Sequence, residues 1–172
     1  MNAPSDGYMY QNLKFNFVKD IAPVASVVRV PLVMEVNPSV PATTVPEVIA
    51  YAKANPGRLN MASAGNGTPQ HLAGELFRMM AGVSLTHVPY RGSAPALADL
   101  IAGQVQVAFD TTAASIGFIK AGKLRALALT SSTRSAALPG VPALGDFVPG
   151  YEASGWYGVG ALRTFLVRSL TS

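Results

Sequence analysis

The chain has 172 residues, which is long enough for one hydrophobic core. Of these residues 49% are hydrophobic and 13% are charged, a composition that excludes a disordered protein. The formal net charge is +4, but the 13 Lys and Arg residues are scattered without a basic run, which argues against nucleic acid as a partner. The chain contains no Cys, and this excludes disulfides, zinc thiolate sites and Cys nucleophiles.

The N-terminal part of the chain is predicted to be irregular first and extended afterwards. Residues 1–20 sustain no helical period and begin with a polar segment, in which no signal peptide is visible. Residues 24–36 are rich in Val and predict two extended pieces separated by Pro31. Because Pro and charged residues interrupt the apolar region 21–36, it does not predict a membrane-spanning segment.

Helix and strand signals alternate through the middle of the chain, with short links between them. The predicted helices cover 44–54, 68–81, 93–102 and 112–121, and the predicted strands cover 59–63, 84–90, 105–109 and 124–130. Thr44 and Glu47 predict a capping box, and Thr68 and Ser93 are the expected N-caps of the next two helices. This alternation is typical of an α/β fold with a parallel sheet and helices on both faces.

The C-terminal part of the chain carries weaker signals. Residues 132–150 contain three prolines and are predicted to be loop. Residues 151–159 predict one more strand, and residues 161–172 show a weak helical pattern.

Polar residues and glycines follow the ends of four predicted strands, and parallel sheets bind ligands beyond the carboxyl ends of their strands. At the first of these ends, residues 65–68 (Gly-Asn-Gly-Thr) lead directly from a strand into a helix. Such a turn can present backbone N–H groups to a small anion, but it can equally be a tight connection. It lacks the Lys of a Walker loop and the third Gly of a dinucleotide fingerprint.

Several residues at this edge allow two interpretations each. His71 either hydrogen-bonds a ligand or satisfies a neighbouring loop. Asp110 either caps the helix that follows it, or fixes a ligand amine or amide, or the neighbouring loop. Arg91 either pairs with a carboxylate or is a solvated rim residue. Tyr90 and Trp156 provide either a stacking wall or ordinary core and rim packing.

The sequence contains no favourable catalytic arrangement. The Gly-x-Ser-x-Gly motif is absent, and Ser63, His71 and Asp110 make a poor triad because Ser63 precedes its turn. His87 lies inside a predicted strand and is expected to be structural. Two His residues without carboxylates at suitable spacing predict no metal site. Neither an enzyme nor a bound cofactor is therefore expected.

Eight segments, in one order within residues 17–159, carry the motifs of a known family. They are NMASAGNGT at 60–68, HLAGELF at 71–77, HVPYRGSAPA at 87–96, GQV at 103–105, FD at 109–110, AGKLRALA at 121–128, LPGVP at 138–142 and GYEASGWYG at 150–158. In these segments the chain resembles the tripartite tricarboxylate transporter receptors, also called Bug receptors.

The resemblance implies a periplasmic solute-binding protein of the type II, Venus-flytrap fold. Two α/β lobes of that fold hold a small organic acid between them, and the receptor passes the acid to a membrane permease. This chain would supply one lobe together with the crossover strands. The candidate ligand-binding residues at its edge are Ala64, Gly65, Asn66, Gly67, Thr68, His71, Tyr90, Gly92, Ser93, Ala94, Asp110 and Thr111.

The chain also departs from the family pattern. Residues 1–36 are expected to be a remnant of the first lobe with a crossover strand, 37–150 the complete second lobe, and 151–172 a return crossover strand with an aberrant tail. The family pattern includes an export signal ahead of the first lobe, and we expect none in this sequence. Residues 2–8 and 11–14 resemble two segments that the family keeps further apart. Here only Met9 and Tyr10 separate them, which indicates an internal deletion.

The remnant of the first lobe is expected to expose apolar surface, and this predicts self-association. The alternative to a receptor for small carboxylates is therefore a truncated remnant without a transport role, which folds and self-associates. A hydrolase is the third and weakest interpretation.

Overall fold

The structure is a computed structural model that describes residues 16–163. The expectations for residues 1–15, including the internal deletion near Met9, and for the tail 164–172 lie outside the described residues. The described chain divides into two compact units. The larger unit is Val30–Gly155, and the smaller contains residues 16–29 and 156–163 of the described chain.

The elements follow the predicted order with two exceptions. A short helix lies at 17–20, where the sequence predicted irregular chain, and the last strand extends to Leu162, into a segment that was predicted to be helical. The elements are α1 (Phe17–Asp20), β1 (Ile21–Val36), α2 (Val45–Ala54), β2 (Asn60–Ser63), α3 (Pro69–Ala81), β3 (Thr86–Pro89), α4 (Ser93–Ile101), β4 (Val107–Thr111), α5 (Thr112–Lys120), β5 (Arg125–Leu129), a 3-10 turn (Leu144–Asp146) and β6 (Ser154–Leu162). The alternation of helices and strands predicted for 44–130 is confirmed, with ends displaced by one or two residues.

The sheet is mixed rather than wholly parallel. Its strand order is β3-β2-β4-β1-β5, and β6 also pairs with β1. β2 runs parallel to β3 and β4, whereas β1 runs antiparallel to both β4 and β5. The four strands of the alternating region are therefore mutually parallel as predicted. β1 precedes that region, and no crossover helix fixes its direction.

β1 is one strand of 16 residues, so the prediction of two pieces broken at Pro31 is wrong. Pro31 lies just before Leu32, the first residue of β1 in register with β4. A proline is tolerated in a strand where its missing N–H is not needed for the ladder. The position of Pro31 relative to the ladder could not be read from the sequence.

Helices cover both faces of the sheet, as predicted. On one face Met34, Phe77 and Leu144 belong to the main core, to which α2 and α3 contribute. On the other face Leu97 and Leu100 of α4 pack with Ala62 and Ala108 in a second cluster. Each such buried large side chain contributes about 1.5–3 kcal/mol. The two cores hold β2, β3 and β4 rigidly, and with them the edge at which these strands end.

The smaller unit has few buried apolar side chains. Val27 is 67% exposed on β1, and Tyr157 is 58% exposed on β6. Within this unit, Gly158 of β6 approaches the carbonyl oxygen of Ala25. A two-stranded ribbon without a core is only marginally stable in water. No helix among residues 16–163 is long and apolar enough to cross a membrane.

Candidate ligand-binding site

Three helices begin at one edge of the sheet. β3, β2 and β4 are neighbours and parallel, and each leads through a short link into α4, α3 or α5. The positive ends of three helix dipoles therefore meet at the carboxyl edge of these strands. Such an arrangement favours a negatively charged group at this edge.

Asp110 joins these three helix starts. Its Oδ1 accepts hydrogen bonds from Ser93 Oγ at 2.8 Å, from Gln70 Nε2 at 3.2 Å and from the N–H of Thr111 at 2.7 Å. Asp110 is only 2% exposed. The interpretation that Asp110 caps the following helix is wrong, because Thr111 Oγ1 accepts the capping bond from the N–H of Ala114. Asp110 instead bonds to neighbouring segments through Gln70 and Ser93, which agrees with one of the two alternatives, and its contact with a ligand stays a prediction.

The three helix starts differ in how they are capped. Thr68 caps α3 and Thr111 caps α5, each through its side-chain oxygen. α4 begins after Gly92 without any side-chain cap. The prediction that Ser93 is an N-cap is wrong, because Ser93 is the first helical residue and donates its hydroxyl to Asp110. Gly92 has φ 125° and ψ 173°, a conformation that other residues rarely adopt.

The start of α4 thus lacks a side-chain acceptor for its first backbone N–H groups. The first N–H groups of a helix have no partner inside the helix. Those of Gly92, Ser93 and Ala94 come in sequence, and Pro95 has none to offer. Ala94 is exposed to solvent.

The Gly-rich turn at 65–68 is held mainly by its own bonds. The N–H of Gly65 donates to Ser63 Oγ at 3.2 Å, and that of Gly67 donates to His71 Nδ1 at 3.1 Å. The N–H of Thr68 donates to the carbonyl of Gly65 at 3.3 Å. These three N–H groups therefore already have acceptors within the turn, and ligand binding by the turn stays a prediction. Asn66 is exposed at its tip, and Ala64 is half-buried.

Two histidines stack beside this turn. The ring centroids of His71 and His87 are 4.0 Å apart, and Ser63 Oγ lies 2.7 Å from His87 Nε2. Burial lowers the pKa of His87, and the neighbouring His71 lowers it further, while Glu75 raises it. Ser63 thus meets His87 rather than His71, and Asp110 bonds to neither ring. The structure does not bring Ser63, His71 and Asp110 together as a triad.

The aromatic and basic candidate residues Tyr90, Arg91 and Trp156 each have different surroundings. Tyr90 Oη donates to Asp99 Oδ2 at 2.7 Å, and its ring packs against the second core cluster. Burial, with the bond to Asp99, raises the pKa of Tyr90 to about 12. Arg91 is exposed next to it. Trp156 is 53% exposed and belongs to the smaller unit.

Sequence reasoning missed Gln70, which links Asp110 to Ser93 across the edge. Its Nε2 lies 3.2 Å from Asp110 Oδ1 and 3.4 Å from Ser93 Oγ. Its place in the first turn of α3 was the available signal, because every residue there lies near the strand ends. The described residues contain no group of three or more His, Cys, Asp or Glu side chains that could hold a metal ion.

One concave pocket lies at the opposite edge of the sheet. It has a volume of about 300 Å³ and is lined by Ser39, Val40, Pro41, Tyr51, Asn55, Arg58, Leu59 and Gln106. Leu59 and Gln106 precede β2 and β4. This pocket is therefore separate from the strand ends where the helix N-termini meet.

Comparison with known proteins gives consistent matches. The model of the tripartite tricarboxylate transporter family receptor matches residues 1–164. Protein BugT of Bordetella pertussis is 36% identical over 149 residues, which cover 86% of this chain and 46% of BugT. The chain spans about half the length of the curated relatives it matches.

Two solved structures share the fold closely. A protein of R. palustris, described with adipate, superposes with a TM-score of 0.82 and 39% identity, covering 94% of this chain and 55% of that protein. MatC from Rhodopseudomonas palustris, described with bound malate, has a TM-score of 0.82 and 27% identity, covering 93% and 55% of the two chains.

Proposed function

The chain belongs to the tripartite tricarboxylate transporter receptor family, and on this premise we propose that its strand-end edge binds a small organic acid as its carboxylate anion. The observation that carries the proposal is the start of α4, where the N–H groups of Gly92, Ser93 and Ala94 face no side-chain cap. A carboxylate is the group that such donors, at the positive end of a helix dipole, stabilise most.

The comparisons support the choice of ligand class. The two solved relatives described above are named with adipate and malate, and both of these ligands are small dicarboxylates. The arrangement around Asp110 adds a physical reason, because it fixes the three helix starts relative to each other before any ligand arrives. Preorganised donors lose little entropy on binding.

The wider role follows from the family. We propose that the whole protein is a periplasmic receptor that presents the acid to a membrane permease. The family is one of solute-binding receptors, and the described edge holds no assembled triad. We therefore expect binding without turnover.

A charge placed at the start of α4 tests the site. In Ala94→Asp the new carboxylate stands where the ligand carboxylate is proposed to sit, and it also suits the helix dipole, so the fold is expected to be kept. The matched control is Ala98→Asp, which adds the same charge one turn later at another exposed alanine of α4. We expect adipate or malate affinity, measured by calorimetry, to fall at least about tenfold in the first variant and less than about twofold in the second.

Equal affinities in Ala94→Asp and Ala98→Asp would remove α4 from the proposed site. Binding of neither acid by the unaltered chain would count against the carboxylate proposal for this half of the protein.

The exposed ribbon of the smaller unit favours a second proposal, that copies of this chain associate. Val27, Tyr157 and Val159 are each more than half exposed, at 67%, 58% and 55%. Large exposed apolar side chains grouped on paired strands are typical of an interaction surface. Sedimentation velocity should show a larger species that Val27→Lys disperses and that Met79→Lys, at a 72% exposed position of α3, leaves intact. A monomeric unaltered chain would end this proposal.

A further inference from the structure

Glu35 is a fully buried carboxyl group, with 0% exposure, in β1, which lies between β4 and β5 in the sheet. Its register partners are Ala108 on β4 and Ala126 on β5. Ser115 of α5 donates its hydroxyl to Oε1 at 2.7 Å. Among the described residues, Oε2 is buried and has no hydrogen-bond partner. A charged carboxylate in this position would keep one oxygen without any donor, so the neutral acid is favoured.

A second buried side-chain oxygen of the described residues also lacks a hydrogen-bond partner. Thr112 precedes Ser115 by three residues and therefore lies on the same side of α5. Within the described part of the chain, Thr112 Oγ1 is also buried without a partner. A proton on Glu35 Oε2 would turn an acceptor into a donor, which the Thr112 hydroxyl or an internal water could then accept.

Glu35 is connected to the strand-end edge through Asp110. Asp110 pairs with Val33 in the β1–β4 register, so Asp110 and Glu35 are diagonal neighbours on one face of the sheet. Burial raises the pKa of Glu35 to about 8; the Ser115 hydrogen bond opposes this increase, and the charge of Asp110 adds to it.

The other charged groups on the elements around Glu35 either bond to other residues or are exposed to solvent. They are Arg125 of β5, which donates to the carbonyls of Val40 and Ala42, Asp99 of α4, which accepts from Tyr90, and Lys120, exposed at the end of α5.

We propose that Glu35 is neutral whenever an anion occupies the strand-end edge, so that ligand binding draws a proton from solvent at any pH at which Glu35 of the unliganded chain is ionised. This inference rests on the proposed function. A bound carboxylate adds negative charge beside Asp110, and an ionised Glu35 on the same sheet face would add a further one in a medium of low dielectric. Neutralising Glu35 removes that repulsion. Affinity then falls as the pH rises through the range in which Glu35 loses its proton.

The same proton links folding to pH, which provides a test that needs no ligand. The ordinary pKa of the Glu35 carboxyl is 4.5, and burial raises it to about 8 in the folded chain. The folded chain therefore holds one proton more than the unfolded chain between these values. Its unfolding constant should rise about tenfold per pH unit across that range, and this contribution should vanish in Glu35→Gln, whose amide mimics the neutral acid.

The decisive experiment is a pH titration of the full chain labelled with ¹³C at the Glu carboxyl groups, with the Glu35 signal assigned from its loss in Glu35→Gln. The titration is recorded alone, with adipate and with malate. We expect the pKa of Glu35 to lie far above its ordinary value, to rise further with a bound acid and to fall in Asp110→Asn. Calorimetry in buffers of different ionisation enthalpy should show proton uptake that peaks at a pH between the pKa values of Glu35 without and with the acid, and that stays below one proton per acid. Glu35→Gln should abolish this uptake, and Glu47→Gln, at an exposed glutamate of α2, should preserve it.

An ordinary pKa for Glu35, or a pKa that a bound acid does not move, overturns the inference while leaving the proposed function intact. If Glu35 titrates high but neither acid binds, the proposed function fails and the linkage fails with it.

Discussion

The N-terminus of α4 and those of α3 and α5 lie at one edge but are completed in opposite ways. Thr68 and Thr111 close their helices with side-chain oxygens, whereas α4 follows a glycine and receives no such cap. The hydroxyl of Ser93, at the start of α4, donates to Asp110 and does not cap the helix. The comparison supports the proposal that the uncapped start of α4, rather than the Gly-rich turn, provides the N–H donors for a ligand.

The largest effect is expected from removing the carboxylate that makes this difference. Asp110→Ala leaves Ser93 Oγ, Gln70 Nε2 and the N–H of Thr111 without their shared acceptor at a partly buried position. A polar group that is left unpaired when buried costs about 1–3 kcal/mol, and three such groups are affected, so a loss of roughly 2–5 kcal/mol in the free energy of unfolding is expected by urea denaturation.

Asp110→Asn is the matched control, because its amide oxygen can still accept these bonds. It should lose less than half as much stability. An equal loss in Asp110→Asn and Asp110→Ala would show that charge, not the shared acceptor, is what matters.

A smaller effect is expected at the glycine that precedes α4. Gly92 has φ 125°, which an alanine adopts only with strain, so Gly92→Ala should cost about 1–3 kcal/mol even though nothing lies within 4 Å of an added Cβ atom. Gly117 of α5 also has open space around it and no positive φ, so Gly117→Ala should stabilise by about 0.5–1 kcal/mol. Thermal unfolding of the two variants should show shifts of opposite sign. A gain in stability for Gly92→Ala would show that its backbone conformation is not needed.

The smallest effect is expected from the caps themselves. Thr68→Ala and Thr111→Ala each remove one side-chain acceptor at a helix start and should cost about 1 kcal/mol. Each variant also leaves N–H groups open at α3 or α5, so the edge becomes more like the start of α4. Carboxylate affinity should stay the same or rise slightly. A strong loss of affinity in Thr68→Ala would move the ligand from α4 to the Gly-rich turn.

Local sequence signals predicted the alternating elements and two of the caps. Thr44 accepts from the N–H of Glu47, and Thr68 accepts from the N–H of His71, because both interactions join residues three apart. Even here one detail differed, since the Glu47 side chain accepts from Thr43 rather than from Thr44. These bonds lower the pKa of the exposed Glu47 carboxyl.

What could not be predicted depends on partners distant in sequence. Ser93 meets Asp110 only because β3 and β4 flank β2, and that strand order was not available from local patterns. Glu35 looked like one polar residue in an apolar strand, and its partner Ser115 lies 80 positions away. The antiparallel direction of β1 likewise depends on its pairing with β4 and β5, which are distant from it in sequence.

The most direct test of the central claim is a titration of the ¹⁵N-labelled chain with adipate and with malate, followed through its backbone amide signals. The account predicts saturable shifts that are largest at the amides of Gly92, Ser93 and Ala94, and smaller ones at Gly65 and Gly67, whose N–H groups already donate within their turn. Shifts that are largest at Gly67, or no saturable shift with either acid, would contradict it.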